Sequence, residues 1–185
     1  MNILIASSEA VPFAKTGGLA DVCGALPIEL GKLGHEVSLI MPAYRGIRDR
    51  GVPVELTGIS FDIPIGGNMV SGELLRGNLP GSHVPVYFVR QDESLDRNGF
   101  YGEDGSDYDD NCQRFVFFCR AVLETIRRLP LEIDLIHAND WMTGLIPAYL
   151  KIEGAGVPPF ERTASVMTIH NLAYQGTFWH GDMLL

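Results

Sequence analysis

Three polar loops in this chain hold residue types that bind phosphates and sugars. Each contains glycine and lies at the end of a short apolar segment, and the loops span residues 7–21, 137–144 and 170–176. If the apolar segments are parallel strands of one sheet, the loops meet beyond the carboxyl ends of those strands, where ligands bind in such sheets. The sequence therefore predicts one binding rim built from three separated parts of the chain.

The first loop places a lysine and two glycines at the predicted start of a helix. Gly17 and Gly18 let backbone N–H groups approach a ligand closely, and a helix N-terminus favours an anion. Lys15 adds a full positive charge beside those donors. The pattern is neither a Walker loop nor the GxGxxG dinucleotide fingerprint. Neutralisation of a pyrophosphate or of a departing nucleotide fits it, but a flexible glycine turn with a solvated lysine fits the spacing equally well.

The second loop contains a carboxylate followed by an indole ring. Asp140 can accept hydrogen bonds from sugar hydroxyls, and Trp141 offers an apolar face on which a sugar ring can stack. Asp140 also lies at a predicted strand–helix junction, where it could cap the helix, and tryptophan is commonly a core residue. Taken alone, these two residues favour capping and core packing.

The third loop begins with a histidine and an asparagine directly after a predicted strand. Imidazole and amide groups both donate and accept hydrogen bonds, so His170 and Asn171 suit sugar hydroxyls. A lone histidine is more often a structural group. Its position on the same rim as Lys15 favours the binding role here.

Alternating strands and helices must position these loops. Continuous apolar runs predict core strands at residues 3–6, 37–41, 84–89, 133–137 and 164–169. Apolar residues at helical spacing predict helices at residues 19–33, 115–126 and 145–152. This order predicts an α/β, Rossmann-like, doubly wound parallel sheet.

Proline and glycine mark the boundaries of the predicted helices. Gly34 and Gly154 are placed to end the first and third helices, and Pro130 follows the second. Pro27 lies inside the first helix and removes a hydrogen-bond donor, which predicts a kink there.

Residues 52–80 differ in character and predict a β-hairpin inserted at the sheet edge. Two strand-like runs, 54–63 and 69–75, are separated by Gly66-Gly67-Asn68, a strong turn signal. The apolar positions shift register near Gly58, which predicts a β-bulge.

The composition limits the classes of partner and cofactor. A formal net charge of −9 argues against nucleic acid and anionic membranes, because both attract basic surfaces. No apolar run reaches the roughly 18 residues of a membrane-spanning helix. Cys23, Cys112 and Cys119 have apolar neighbours and no metal-binding spacing, which predicts buried thiols in a reducing cytosol. We therefore expect a cytoplasmic protein.

One acidic segment could suggest a cation site, but its spacing does not. It lacks the EF-hand pattern, and the chain has no HExxH or Cys/His cluster, so we predict a solvated loop and no metal. The acidic residues are Glu103, Asp104, Asp107, Asp109 and Asp110.

Together the three loops resemble the motifs of bacterial glycogen synthases and plant starch synthases. Residues 8–22 contain the Lys-Thr-Gly-Gly-Leu signature of that family, and Gly24-Ala25-Leu26-Pro27 follows it. The resemblance continues in His-Ala-Asn-Asp-Trp at 137–141 and in His-Asn-Leu-Ala-Tyr-Gln-Gly at 170–176. These motifs occur in the family's order over nearly the whole chain.

This resemblance implies the N-terminal, acceptor-side half of a GT-B glycosyltransferase. That family transfers glucose from ADP-glucose, or sometimes UDP-glucose, to the non-reducing end of an α-1,4-glucan, with retention of configuration and without a metal. The implied partners are the nucleotide-sugar donor, the glucan acceptor and a C-terminal domain. The implied compartment is the bacterial cytoplasm, or the plastid for a plant protein.

The resemblance also implies roles for the loop residues. Lys15, Gly17 and Gly18 would contact the phosphates and glucose of the donor. His170 would direct its backbone carbonyl toward the anomeric centre and its side chain toward the glucose. The sugar hydroxyls would be held by Asp140 and Asn171. Weaker assignments, to the acceptor or the closing cleft, fall on Glu9, Asp21, Tyr101 and Trp141.

Residues 1–185 would then be one truncated domain without the C-terminal nucleotide-binding domain, and we expect little turnover from them alone. Two other functions remain open: an α-glucan-binding module without catalysis, and another GT-B transferase that forms sucrose or trehalose. The Lys-Thr-Gly-Gly-Leu run disfavours the transferase alternative. The absence of GxGxxG disfavours a nicotinamide dehydrogenase.

Overall fold

A mixed sheet of seven strands forms the centre of the computed structural model, which describes residues 1–47, 52–129 and 131–185. The strands lie in the order β3-β4-β5-β2-β1-β8-β9. Neighbours from β5 to β9 are parallel, and β3 and β4 extend one edge with antiparallel pairing. The strands are β1 (Asn2–Ala6), β2 (Glu36–Pro42), β3 (Glu55–Ile65), β4 (Asn68–Asn78), β5 (Pro85–Arg90), β8 (Leu135–Asn139) and β9 (Ala164–Thr168).

Three main helices connect the parallel strands: α1 (Gly18–Lys32), α3 (Asn111–Arg128) and α4 (Ile146–Glu153). From β1 the chain proceeds to β2 and then to β5 on one side of β1. From β5 it crosses to the other side of β1, where it forms β8 and then β9. Because such crossovers are right-handed, α1 covers one face of the sheet, and α3 and α4 lie together on the opposite face. The predicted doubly wound α/β fold is confirmed, with its point of reversal between β1 and β8.

The central strand β1 is covered on both faces. Ile3, Leu4, Ile5 and Ala6 are all buried, so the strand has no polar alternation. Ala6 pairs with Ala138 of β8 and with Ile40 of β2. The loop that follows β1 therefore leaves the sheet beside the loop that follows β8.

Helix α1 ends as its sequence predicts. Gly34 has φ of +86°, and the His35 amide donates to the Leu30 carbonyl at 3.2 Å, which closes the helix end. Pro27 is buried within α1, and the kink predicted there stays a prediction. Helix α4 ends at Glu153, before Gly154. Pro130 lies outside the described residues.

The inserted hairpin is also confirmed. Its turn is Gly66-Gly67, both with positive φ, and Asn68 already belongs to β4. The register of β3 against β4 shifts between Leu56 and Ser60, and Gly58 within that interval has φ of +76°. This irregularity is the predicted bulge.

The acidic segment is more ordered than the solvated loop that its composition predicts. A short helix, α2 (Asp92–Leu95), precedes it, and β6 (Gly102–Glu103) and β7 (Ser106–Asp107) form a small hairpin. Asp110 bonds to the Arg97 guanidinium at 2.5 and 2.7 Å. The prediction of a loop was therefore wrong at β6 and β7, whereas the predicted solvation is confirmed for the four acidic residues that are exposed, Glu103, Asp104, Asp107 and Asp109.

The cysteines are free thiols, as predicted, but only two of them are fully buried. Burial raises the pKa of Cys23 to about 11 and that of Cys119 to about 12, while Cys112 is half-buried. Across the described residues, no helix has the length and apolar character needed to span a membrane.

Candidate active site

The loops that follow β1, β8 and β9 leave three adjacent parallel strands at the same edge of the sheet. Asn139, the last residue of β8, pairs with Thr168, the last residue of β9. The Asp140 amide continues this contact by donating to the Thr168 carbonyl at 2.9 Å. The predicted rim therefore exists, and it lies where the strand order reverses, which is the expected position of a ligand site.

The first loop is held from below by a buried carboxylate. Glu9 is only 3% exposed. Its Oε2 accepts hydrogen bonds from the amides of Thr16 and Gly17 at 2.5 and 3.4 Å. Its Oε1 accepts from the Thr16 hydroxyl at 2.6 Å and from the Tyr101 hydroxyl at 2.7 Å. The two amides and the Thr16 hydroxyl tie Glu9 to the first loop, and the Tyr101 hydroxyl ties it to a distant segment of the chain. The acceptor or cleft contact that the resemblance implies for Glu9 stays a prediction.

Tyr101 connects this loop to helix α3. Burial raises the pKa of Tyr101 well above its usual value, so the hydroxyl keeps its proton and donates a hydrogen bond to Glu9. Ser8 contributes a second contact to the same hydroxyl at 2.7 Å. The Tyr101 carbonyl accepts a hydrogen bond from the Asn111 side chain at 2.7 Å. Tyr101 is thus held beneath the loop both at its hydroxyl and at its backbone carbonyl.

Glu9→Gln is expected to lower the free energy of unfolding by about 1–3 kcal/mol, because the amide nitrogen replaces an acceptor that buried donors require. Urea denaturation measures this loss. Glu36→Gln is the matched control, since Glu36 is exposed. Equal stability of the two variants would show that the Glu9 contacts do not hold the loop.

The positive charge of the first loop is accessible to solvent. Lys15 Nζ lies 2.6 and 2.8 Å from the two carboxylate oxygens of Asp21, and both side chains are about half exposed. Gly17 caps α1 without a side-chain hydrogen bond, and a Cβ added to Gly17 or Gly18 would meet nothing within 4 Å. An anion can therefore approach the helix N-terminus and replace Asp21 as the partner of Lys15.

Asp140 adopts a backbone conformation that is almost restricted to glycine, with φ of 58° and ψ of −179°. Its carboxylate does not cap the short 3-10 turn that follows it. Instead, Oδ1 accepts a hydrogen bond from the His170 amide at 2.6 Å. The capping alternative is therefore excluded, and Asp140 links the second loop to the third.

His170 is also held through its ring. Its Nε2 lies 2.9 Å from Oδ1 of Asn139, a fully buried residue that our sequence prediction did not select. The signal that could have identified Asn139 is an amide at the carboxyl end of an otherwise apolar parallel strand. Asn171 is exposed, and its Oδ1 accepts from the Ala173 amide at 2.9 Å, which begins a turn.

Trp141 packs among other aromatic rings at the edge of the rim. Its ring centroid lies 4.9 Å from Phe115, 5.4 Å from Phe178 and 6.4 Å from Tyr101. The backbone of Gly176 lies so close that an added Cβ would stand 2.6 Å from the indole. The Trp141–Tyr101 contact links the loop that carries Glu9 to the loop that carries Asp140 and, through Asp140, to His170.

His137 lies beneath this region and is half-buried. Its Nε2 contacts the Thr168 hydroxyl at 2.7 Å. Burial, with a smaller contribution from His170, lowers the pKa of His137 below its ordinary value. The ring therefore stays neutral in the folded protein at pH values where it is charged in the unfolded chain.

A pH dependence of stability follows from this lowered pKa. As the pH falls below about 6.5, the unfolded chain binds a proton at His137 more readily than the folded chain, so the free energy of unfolding decreases. Urea denaturation at pH 7.5 and 5.5 measures the slope. His137→Gln should reduce it, whereas His83→Gln, at an exposed position, should not. An unchanged slope in His137→Gln would contradict the assignment.

Comparisons with known proteins agree with this geometry. A family model for the starch synthase catalytic domain matches residues 2–185. The chain is 48% identical over 178 residues to a glycogen synthase of Syntrophotalea carbinolica, covering 96% of this chain and 36% of that protein. It is 43% identical over 187 residues to a glycogen synthase of Rhodopirellula baltica, covering 96% and 37%.

A solved structure supports the same relationship. The catalytic domain of starch synthase IV from Arabidopsis thaliana, bound to ADP and acarbose, superposes with a TM-score of 0.84 at 29% identity, covering 98% of this chain and 36% of that one. The chain thus spans a little over a third of the length of these relatives and has the Rossmann-like fold found in GT-B glycosyltransferases. It belongs to the starch synthase catalytic-domain family.

Proposed function

We propose that this chain supplies the acceptor-side domain of a glycogen or starch synthase. The reaction is retaining transfer of glucose from ADP-glucose to the non-reducing end of an α-1,4-glucan. One observation carries the proposal: an accessible cationic helix N-terminus and a held aspartate–histidine pair lie on a single rim of the sheet. The family match over residues 2–185 and the ADP bound to the starch synthase IV relative support it.

The first loop serves the nucleotide end of the donor. Departure of a nucleoside diphosphate builds negative charge on its phosphates. Lys15 and the amides that begin at Gly18 would stabilise that charge, and the Glu9 contacts keep the loop in place. We propose that this neutralisation requires no metal and no other cofactor.

The second and third loops serve the transferring sugar. The His170 amide donates to Asp140, so the orientation of this part of the backbone is set before a ligand arrives. The carbonyl dipole of His170 would stabilise positive charge that develops at the anomeric carbon. Asp140 and Asn171 would bind sugar hydroxyls, and Asp21 and Trp141 would face the acceptor or the cleft.

The test is a chimaera in which residues 1–185 replace the matching segment of the Syntrophotalea carbinolica glycogen synthase. We expect the chimaera to transfer glucose from ADP-glucose to maltoheptaose, with or without EDTA. The isolated chain should show little or no transfer. A folded chimaera that does not use ADP-glucose would contradict the proposal. Maltoheptaose binding to the isolated chain, together with an inactive chimaera, would favour the glucan-binding alternative.

A further inference from the structure

The side chain of Asn139 has only one orientation that satisfies its neighbours. It is fully buried at the end of β8. Its nitrogen lies 3.2 Å from the Ala6 carbonyl and 3.1 Å from the His137 carbonyl. Carbonyl oxygens can only accept hydrogen bonds, so both amide hydrogens of Asn139 are directed to the backbone of β1 and β8.

This orientation determines which nitrogen of His170 carries a proton. With the amide nitrogen committed to the two carbonyls, the group that faces His170 is Oδ1, an acceptor. The 2.9 Å contact therefore requires a hydrogen on Nε2 of the imidazole. A neutral imidazole protonated at Nε2 has a free lone pair on Nδ1.

The consecutive residues Asn139 and Asp140 thus hold His170 at two points. Asp140 accepts a hydrogen bond from the His170 backbone amide at 2.6 Å, and Asn139 accepts one from the ring N–H at 2.9 Å. Asp140 has φ of 58° and ψ of −179°, a conformation almost restricted to glycine. None of the residues in 1–47, 52–129 and 131–185 donates a hydrogen bond to Nδ1 of His170.

We propose that Asn139 is a positioning residue that fixes the Nε2–H tautomer of His170, which leaves Nδ1 to accept a hydrogen bond from a hydroxyl of the bound sugar. The identity of the ligand rests on the proposed function. The choice of tautomer does not, because it follows from buried contacts within this chain.

The tautomer can be measured without any ligand by two-dimensional ¹⁵N–¹H spectra of the histidine-labelled chain. The native protein should show His170 as the Nε2–H form, with a resolved Hε2 proton that exchanges slowly. Asn139→Ala should lose that proton and show both tautomers. Asn139→Asp keeps an acceptor toward Nε2 and should retain the native form.

Thr143→Ala is the matched control. Its hydroxyl is buried and donates to the carbonyls of Asn139 and Asp140, but it does not touch the ring of His170. Thr143→Ala should lower the free energy of unfolding, while the His170 tautomer stays native. Two results would overturn the proposal: a native His170 protonated at Nδ1 when neutral, or an unchanged ring spectrum in Asn139→Ala. The native spectrum is decisive even if a variant fails to fold.

Activity then separates positioning from a general loss of structure. In the chimaera, Asn139→Ala should lower kcat on the order of tenfold to hundredfold with a smaller effect on KM for ADP-glucose, and Asn139→Asp should recover part of that loss. An inactive parent chimaera with the expected tautomer would contradict the proposed function and leave the tautomer inference intact. If the native chain has the expected tautomer but the Asn139→Ala chimaera keeps the kcat of its parent, the proposed contact between Nδ1 and the sugar is refuted.

Discussion

Lys15→Ala is expected to lower the turnover of the chimaera by about 10²- to 10³-fold, the effect of removing one preorganised group that stabilises charge in a transition state. The ammonium is the positively charged group of the first loop, and it lies near the N-terminus of α1, whose cap Gly17 has no side-chain hydrogen bond. Its loss leaves the first loop with backbone dipoles alone to stabilise the leaving phosphates. The effect should therefore appear in kcat more than in the KM for the donor.

Lys32→Ala is the control for this prediction. Lys32 lies in the last turn of the same helix, where it pairs with Glu29 and is largely exposed. Both substitutions remove one positive charge from α1 or its entry, so a general effect of charge would act on both variants. Steady-state assays with ADP-glucose and maltoheptaose compare them. Similar turnover in Lys15→Ala and Lys32→Ala would refute the phosphate assignment.

Gly24→Ala is expected to destabilise the fold by about 1–3 kcal/mol, the usual effect of overpacking a tight contact. Gly24 lies in α1 where the helix crosses the first loop. A Cβ built there would stand 2.4 Å from Cγ2 of Val11 and 2.9 Å from its carbonyl oxygen. Because the Val11 backbone cannot yield as a flexible side chain would, the helix and the loop must separate, and the N-terminus of α1 would shift with them.

Gly31→Ala in the same helix should have the opposite effect. A Cβ at Gly31 meets nothing within 4 Å, so the replacement gains helix propensity and should stabilise the protein by about 0.5–1 kcal/mol. Urea denaturation of both variants gives the comparison. If Gly24→Ala is as stable as Gly31→Ala, the close approach of α1 to Val11 does not constrain the loop.

The sequence predicts the positions of the binding loops well, because continuous apolar runs and glycine boundaries are local signals. The strands that precede Ser7 and His170 were predicted to within two residues of their observed bounds. Strand β8 runs two residues later than predicted. Asn139 belongs to it, although its polar side chain suggested a loop, and His137, the predicted last residue, lies inside it. The strand extends this far because its polar side chains bond to Thr168, Ala6 and His170.

The partners of the site residues could not be predicted, because they come from distant parts of the chain. Tyr101 reaches Glu9 across 92 residues, and His170 reaches Asn139 across 31. No local pattern encodes these contacts. The resemblance to synthases implied acceptor or cleft roles for Glu9 and Tyr101, and these roles stay predictions. The positive φ of Asp140 was equally hidden, because aspartate usually avoids that conformation.

The small hairpin in the acidic segment was missed for a related reason. Strands β6 and β7 have two residues each, too few for an alternating pattern. This segment is ordered by contacts with α3 and with the residues around that helix. Arg114 donates to the carbonyls of Ser94 and Phe100, and Asn111 donates to the carbonyl of Tyr101. These interactions place the Tyr101 hydroxyl beneath the first loop.

We expect the rim formed by the loops after β1, β8 and β9 to bind the nucleotide-sugar donor. A crystal structure of the chimaera with ADP-glucose tests it most directly. We expect phosphate oxygens within hydrogen-bond distance of Lys15 Nζ and the Gly18 amide, and a glucose hydroxyl within hydrogen-bond distance of Nδ1 of His170. Donor bound elsewhere, with Lys15 still paired to Asp21 and with no ligand at His170, would refute donor binding at this rim.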